Sequence, residues 1–263
     1  MELERILLVR HALSGGNNED IIQGQLDFPI QLGYRPNVDK LADLIIEQER
    51  LREGPKVYIH VVHSGLQRAF YTASRIHKRL GDKGFQSAVV PIPELMERHV
   101  GILQGKHYPE AIPLLAERLP QGTPLEPTAK SIYPHLYDLD EIDGGENHYI
   151  AGRRADQALK RIQTLEGLVV VVGHGIFGLY LKNLMTDGNI LGKNPSQSYQ
   201  HFPNLSVVRL ERERPRREER FPHKLWTTGK DTLYAATGNY GPPNGNDDQP
   251  NNGVVKATSH AAR

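Results

Sequence analysis

Arg10 and His11 stand side by side where an apolar run ends, in "ILLVRHALSGGN" over residues 6–17. The arrangement recurs twice along the chain. "VYIHVV" runs into His63, Ser64 and, four residues later, Arg68, and "LVVVV" runs into Gly173-His174-Gly175. Two guanidiniums, two histidines and a helix start brought to one place make an anion site, most naturally for phosphate. A neutral imidazole beside a bound phosphoryl group can attack phosphorus and become a phosphohistidine. Each element is ordinary alone, since a single histidine after a strand is more often a satisfied structural residue. What carries the reading is that all of them fall at the same kind of position.

The elements around these residues explain why they would meet. "RILLV" (5–9), "VYIHVV" (57–62), "SAVVPI" (87–92) and "LVVVV" (168–172) are short, β-rich and apolar, the pattern of buried strands. Longer amphipathic segments alternate with them. Residues 36–51 place Val38, Leu41, Leu44, Ile45 and Leu51 on one helical stripe, and 66–80, 108–119, 155–165 and 177–185 read as further helices. Pro113 disturbs the third of these unless it lies in the first turn. The alternation predicts a three-layer α/β/α domain with a mostly parallel central sheet. In such a sheet ligands sit beyond the carboxyl ends of the strands, which is where Arg10, His11, Arg68 and His174 would lie. "NLSVVRLERE" (204–213) and "FPHKLWTT" (221–228) read as a closing hairpin. Its basic tip is balanced, because residues 211–220 hold five arginines against four glutamates.

Two stretches depart from this pattern. Residues 120–146 are rich in Pro, Gly and acids and read as an excursion over the sheet, part of a lid-like insertion at about 106–146. The segment 237–263 is built of Gly, Asn, Pro and Asp and is expected to be a disordered, dispensable tail after a domain spanning 1–236. The balance of 32 basic and 31 acidic residues argues against a general nucleic-acid or membrane-surface binder. No apolar run approaches the ~20 residues of a membrane span, and the first nine residues resemble neither a signal peptide nor an anchor. The absence of cysteine excludes disulfides, thiolate metal sites and a Cys nucleophile, and fits a reducing, cytoplasmic setting. His60 and His63, three apart on one strand, would point to opposite faces, so no metal site is expected there.

The motifs together resemble the histidine phosphatase superfamily, in its phosphoglycerate mutase-like branch. "LVRHA" is similar to that family's Leu-Val-Arg-His-Gly, with Ala12 for glycine. "SGLQRAFYTA" (64–73) is similar to its second motif with Gly65 for proline, and "ERHVGILQG" (97–105) matches its third. "GENHYIAGRR" echoes its Gly-Glu-Ser element and the arginine that follows, giving Gly145, Glu146 and Arg154 with Asn147 for serine. "VVVVGHG", "GQLDFP" and "NLSVVRLE" are further family-like segments, so the resemblance spans about residues 5–230. It implies the phosphoglycerate mutase-like fold, with His11 as nucleophile and Arg10, Arg68 and His174 around the phosphoryl group. It also implies Glu97 as the acid that protonates the leaving oxygen and then helps activate water. Ser14 and Asn17 stand where mutase-type relatives have Ser and Asn, so two readings stay open for them: substrate binding, or the turn chemistry that "SGGNN" would supply anyway. Neither metal nor other cofactor is implied, because side chains supply the positive charge.

Two departures bear on the activity. Mutases of this family carry Glu after the first His-Gly and Asn after the second, where this chain has Leu13 and Ile176. The reading is therefore a phosphatase acting on small phosphorylated metabolites, with a cofactor-dependent phosphoglycerate mutase as the alternative. A silent member that binds a phospho-ligand or a protein partner is a third reading, which the presence of both histidines and both arginines disfavours. The expected partner is a small phosphorylated substrate, with no nucleic acid or membrane; a homo-oligomer remains open.

Overall fold

A computed structural model describes residues 5–53, 56–192, 202–212, 226–228 and 234–235. Four parallel strands form the centre of the sheet: β1 (Arg5–Arg10), β2 (Ile59–His63), β3 (Ser87–Pro91) and β4 (Leu168–Gly173). Three more lie antiparallel to their partners, β5 (Ser206–Arg212), β6 (Trp226–Thr228) and β7 (Tyr234–Ala235). The order is β3-β2-β4-β1-β5-β6, with β7 also on β5.

Both faces of the sheet are covered, and the period-two alternation of the strands shows how. A short helix α1 (Gly15–Asn18) follows β1, whose Leu7 and Val9 pack with Val38, Leu41 and Ile45 of α2 (Arg35–Gln48) and with Ala69, Ala73 and Ile76 of α3 (Gln67–Asp82). Ile6 and Leu8 turn to the other face, under α6 (His148–Ile162) and α7 (Gly175–Asp187). Val169 and Val171 of β4 join that second core, whereas Leu168, Val170 and Val172 join the first. Strands buried on both sides must be apolar at every position, which is why they read as unbroken runs. The expected three-layer α/β/α architecture is therefore found.

The excursion is more regular than its composition suggested. It contains α4 (Tyr108–Ala116) and α5 (Ala129–Asp138), and Thr128 caps α5 by accepting the Ser131 amide. Pro113 and Pro134 both sit inside these short helices, which is why the periodicity of α5 was hidden. α6 begins at His148 rather than 155, because the Asn147 side chain accepts the Ile150 amide and starts the helix there. β5 and β6 pair antiparallel as the closing hairpin requires, while its basic tip and the tail from 237 lie outside the described residues. Among the described residues no helix is long and apolar enough to cross a membrane.

Candidate active site

The site is built at the carboxyl ends of three parallel strands. Arg10 closes β1 and pairs in register with Gly173, the last residue of β4. The His11 amide then donates to the Gly173 carbonyl at 3.0 Å, so both strands leave the sheet together. His11 and His174 follow them directly, with ring centroids 5.2 Å apart. From β2, Ser64 reaches the His174 ring, its Oγ 2.7 Å from Nε2. Gly65 turns the chain at φ 93°, a left-handed value that suits glycine, and the next helix delivers Arg68 in its first turn. Arg10, His11, Arg68 and His174 are thus brought together as the strand ends predict.

The backbone around His11 is held from several sides. Thr72, one helical turn after Arg68, accepts the Ala12 amide at 3.0 Å and donates to the Arg68 carbonyl at 2.7 Å. Asn204, just before β5, donates to the His11 carbonyl at 2.8 Å. The ring is oriented too: Nδ1 lies 2.7 Å from the Ala12 carbonyl oxygen. A carbonyl only accepts, so Nδ1 carries the proton and the lone pair is on Nε2. Burial, with the Arg68 and Arg10 charges adding to it, lowers the His11 pKa well below the usual histidine value. His174 is lowered in the same sense by burial, then by Arg68, His11 and Arg10. Both imidazoles are therefore neutral at pH 7, and His11 presents a free nitrogen lone pair.

The guanidiniums are fixed by backbone carbonyls. Arg68 donates to Gly24 O at 2.7 Å and Leu26 O at 2.6 Å, and Arg10 to Phe202 O at 2.6 Å. Burial lowers Arg68 to about 10, which still leaves it charged at neutral pH. Arg10 Nε, Arg68 Nε and His174 Nδ1 are buried and have no hydrogen-bond partner among the described residues. Orphaned buried groups of this kind are costly, and those on the arginines call for an acceptor. A phosphoryl group, with several oxygens and negative charge, is such an acceptor.

Glu97 enters from the loop after β3. Its Oε2 accepts from the Gly175 and Ile176 amides at 2.9 and 3.2 Å, and its Oε1 from Phe177 and Arg98 at 2.8 and 2.9 Å. The carboxylate thus caps the N-terminus of α7 while lining the same small cavity as Arg10, His11 and Arg68. Giving a proton to a bound ester would require it to exchange some of these bonds for the substrate.

Ser14 and Asn17 lie beside the cavity but do not line it. The Ser14 amide donates to Asn17 Oδ1 at 3.2 Å, and Ser14 Oγ lies 2.8 Å from Gln23 Oε1. These are contacts of the turn itself, in which Asn17 holds Ser14 and Ser14 reaches Gln23, a lining residue.

Several contributing residues were not assigned a role from sequence. Thr72 was within reach, being four residues from Arg68 on one helix face. Asn204 opens a family-like segment but carries no local signal of its contact with His11. Arg154 makes a two-pronged pair with Glu146, both contacts 2.7 Å, and also donates to the Met96 carbonyl at 2.6 Å. Its guanidinium lies 3.9 Å from the Phe177 ring centroid. Arg98 is fully buried and donates to the carbonyls of Leu136, Leu139, Asp140 and Glu146. It ties the end of the excursion to the loop that carries Glu97. Gly101, at φ 51°, lets that loop cross the backbone of Asp143, where a Cβ would come within 1.9 Å of the Asp143 oxygen.

Comparison with known proteins agrees with this geometry. The family model for the histidine phosphatase superfamily (branch 1) matches residues 6–221. An Arabidopsis thaliana protein named metal-independent phosphoserine phosphatase is 31% identical over 198 residues, 73% of each chain. Phosphoglycerate mutase-like protein 4 of the same plant is 29% identical over 177 residues, 66% of this chain and 68% of its own. Among solved structures, mycobacterial glucosyl-3-phosphoglycerate phosphatase with inorganic phosphate has a TM-score of 0.61 at 20% identity, covering 89% of this chain and 98% of its own. An Escherichia coli candidate alpha-ribazole-5'-P phosphatase also reaches 0.61, at 16% identity and the same coverages. At these identities the structural matches speak for the fold. With the family model spanning most of its length, and His174 packed beside the His11 that lines one cavity with Arg10 and Arg68, the chain belongs to the histidine phosphatase superfamily, branch 1.

Proposed function

We propose that the chain hydrolyses small phosphate monoesters in two steps, with His11 as the covalent carrier and no metal. In the first step the His11 Nε2 lone pair forms the N–P bond as the ester P–O bond breaks. The leaving oxygen takes a proton from the Glu97 carboxyl group. In the second, a water oxygen attacks phosphorus, the N–P bond breaks, and the water's proton returns to Glu97. Arg10, Arg68 and His174 hold the phosphoryl oxygens throughout, and the two arginines supply the positive charge that the transfer needs. The observation that carries this reading is the tautomer of His11: its Nδ1–H is committed to the Ala12 carbonyl, and two orphaned arginine N–H groups share its cavity. The relative named for metal-independent phosphoserine hydrolysis supports the metal-free scheme. The apolar Ile176 in the lining favours hydrolysis over phosphate return, since it offers no polar side chain to retain a phosphorylated intermediate. We place the protein in the cytoplasm, as the cysteine-free composition fits.

The test is acid quenching during turnover of a ³²P-labelled ester. Wild-type protein is expected to trap acid-labile label, and His11→Ala to trap none and to lose turnover. Equal labelling of the two proteins would overturn the role of His11. Isomerisation of a phosphoglycerate much faster than phosphate release, with a need for a bisphosphate primer, would replace the hydrolase by the mutase.

A further inference from the structure

Resting on that hydrolase reading, we infer that Ser64 is a positioning residue: its hydroxyl fixes the tautomer of His174, so that the ring offers an N–H rather than a lone pair to the phosphoryl oxygens.

Ser64 is placed by the sheet and by its own turn. His63 closes β2 and pairs in register with Val172 of β4, so Ser64 and His174 leave neighbouring strands close together. The chain then turns tightly, with the Gly65 amide donating to His63 Nδ1 at 3.0 Å and the Leu66 amide donating to Ser64 Oγ at 3.4 Å. A serine hydroxyl that takes up an amide two residues on is a common turn device. Ser64 is fully buried, and its Oγ lies 2.7 Å from His174 Nε2.

Which atom carries the proton follows from the partners available. His174 is a neutral imidazole, so one ring nitrogen holds a proton and the other a lone pair. If Nε2 held the proton, Ser64 Oγ would accept from both Nε2 and the Leu66 amide. Its own O–H would then be buried without an acceptor among the described residues, and the Nδ1 lone pair would be buried without a donor. Each such open group is costly. If Ser64 instead donates to the Nε2 lone pair, its hydroxyl is satisfied in both senses and the ring proton sits on Nδ1. One open group then remains, the Nδ1 N–H, and it belongs to a ring that stands beside His11. Arg10 lies against the next residue, Gly175. A phosphoryl oxygen held by these groups gives the N–H its acceptor, whereas the other tautomer would set a lone pair against an anionic oxygen.

The tautomer is read directly from ¹⁵N–¹H correlation spectra of protein labelled on its histidine rings, with the His174 signals identified as those lost in His174→Asn. Wild-type protein is expected to show a proton on Nδ1 and a pyridine-type Nε2. A proton on Nε2 would overturn the inference. Ser64→Ala is expected to shift the ring toward the Nε2-protonated form and to lower kcat/KM for p-nitrophenyl phosphate about tenfold, the size of one hydrogen bond. Ser64→Thr keeps the hydroxyl and should hold both readouts near those of the wild-type protein. A residue that merely packs would cost activity with the tautomer unmoved. That outcome, or wild-type kcat/KM in Ser64→Ala, would remove the positioning role. The hydrolase reading fails separately: if wild-type protein leaves p-nitrophenyl phosphate intact, that reading is lost and the effect of Ser64 on rate goes with it, while the spectrum still reports the tautomer.

Discussion

The two halves of the site are held by different kinds of bond. In the strand-end half, Arg10, His11 and His174 inherit their places from the register of β1 on β4, and Arg68 follows β2 within a few residues. Here the reactive side chains sit next to the elements that place them. In the excursion half, Tyr133 and Leu136 face the cavity only because distant contacts hold α5 there. Arg98 bonds carbonyls 38 to 48 positions later in the chain, and Arg154 reaches back to the carbonyls of Glu94 and Met96. The difference is that backbone register places the residues of the first half, with Arg10, Arg68 and Asn204 bracing them afterwards, whereas the second half has buried arginines in place of register. Strand ends place the reactive side chains, and the braced excursion adds Tyr133 and Leu136 to the lining.

Breaking the brace has the largest expected effect. Arg98→Met leaves at least four backbone carbonyls without their donor, and removal of one side of a buried charged network costs about 3–5 kcal/mol. Thermal unfolding followed by circular dichroism should show a marked fall in Tm. An unchanged Tm would mean that the excursion is held by its apolar contacts alone. The strand-end half should respond in rate more than in stability. Arg68→Ala is expected to lower kcat by a hundredfold or more, about 3 kcal/mol of transition-state stabilisation. Arg68→Lys should recover only part of that loss, because an ammonium cannot reproduce the forked contact with Gly24 O and Leu26 O. Near wild-type kcat in Arg68→Ala would remove that arginine from the reaction.

The gentlest test uses pH and sharpens the same contrast. His11 and His174 are held neutral by burial, so their folded pKa values lie well below the unfolded value of about 6.5. Between those limits the unfolded chain binds protons that the folded protein does not. Stability is therefore fully present above about pH 6.5 and declines as pH falls below it. His11→Gln should flatten part of that decline, measured as Tm from pH 7.5 to 5.5. A slope identical to that of the wild-type protein would show that His11 is not the group taking up the proton.

Much of the chemistry was determined by the sequence alone. Apolar runs ending in Arg10-His11, in His63-Ser64 and in Gly173-His174 name both the strands and the edge where they end, because a buried parallel strand must be apolar throughout and polar only where it leaves the sheet. The same logic explains why α2, α3 and α7 were legible: their apolar faces pack on that sheet. The tertiary structure decided what depended on contacts far apart in the chain. It showed α5 inside a Pro-rich stretch, where Pro134 hides the helical pattern and Arg98, from a different loop, donates to the Leu136 carbonyl. It turned Ser14 toward Gln23 and Asn17 toward Ser14 and Asn204, and it set Glu97 across the N-terminus of α7. Side-chain periodicity encodes which face an element buries; which carbonyl a buried arginine will find is fixed only when the loops that carry them have packed together.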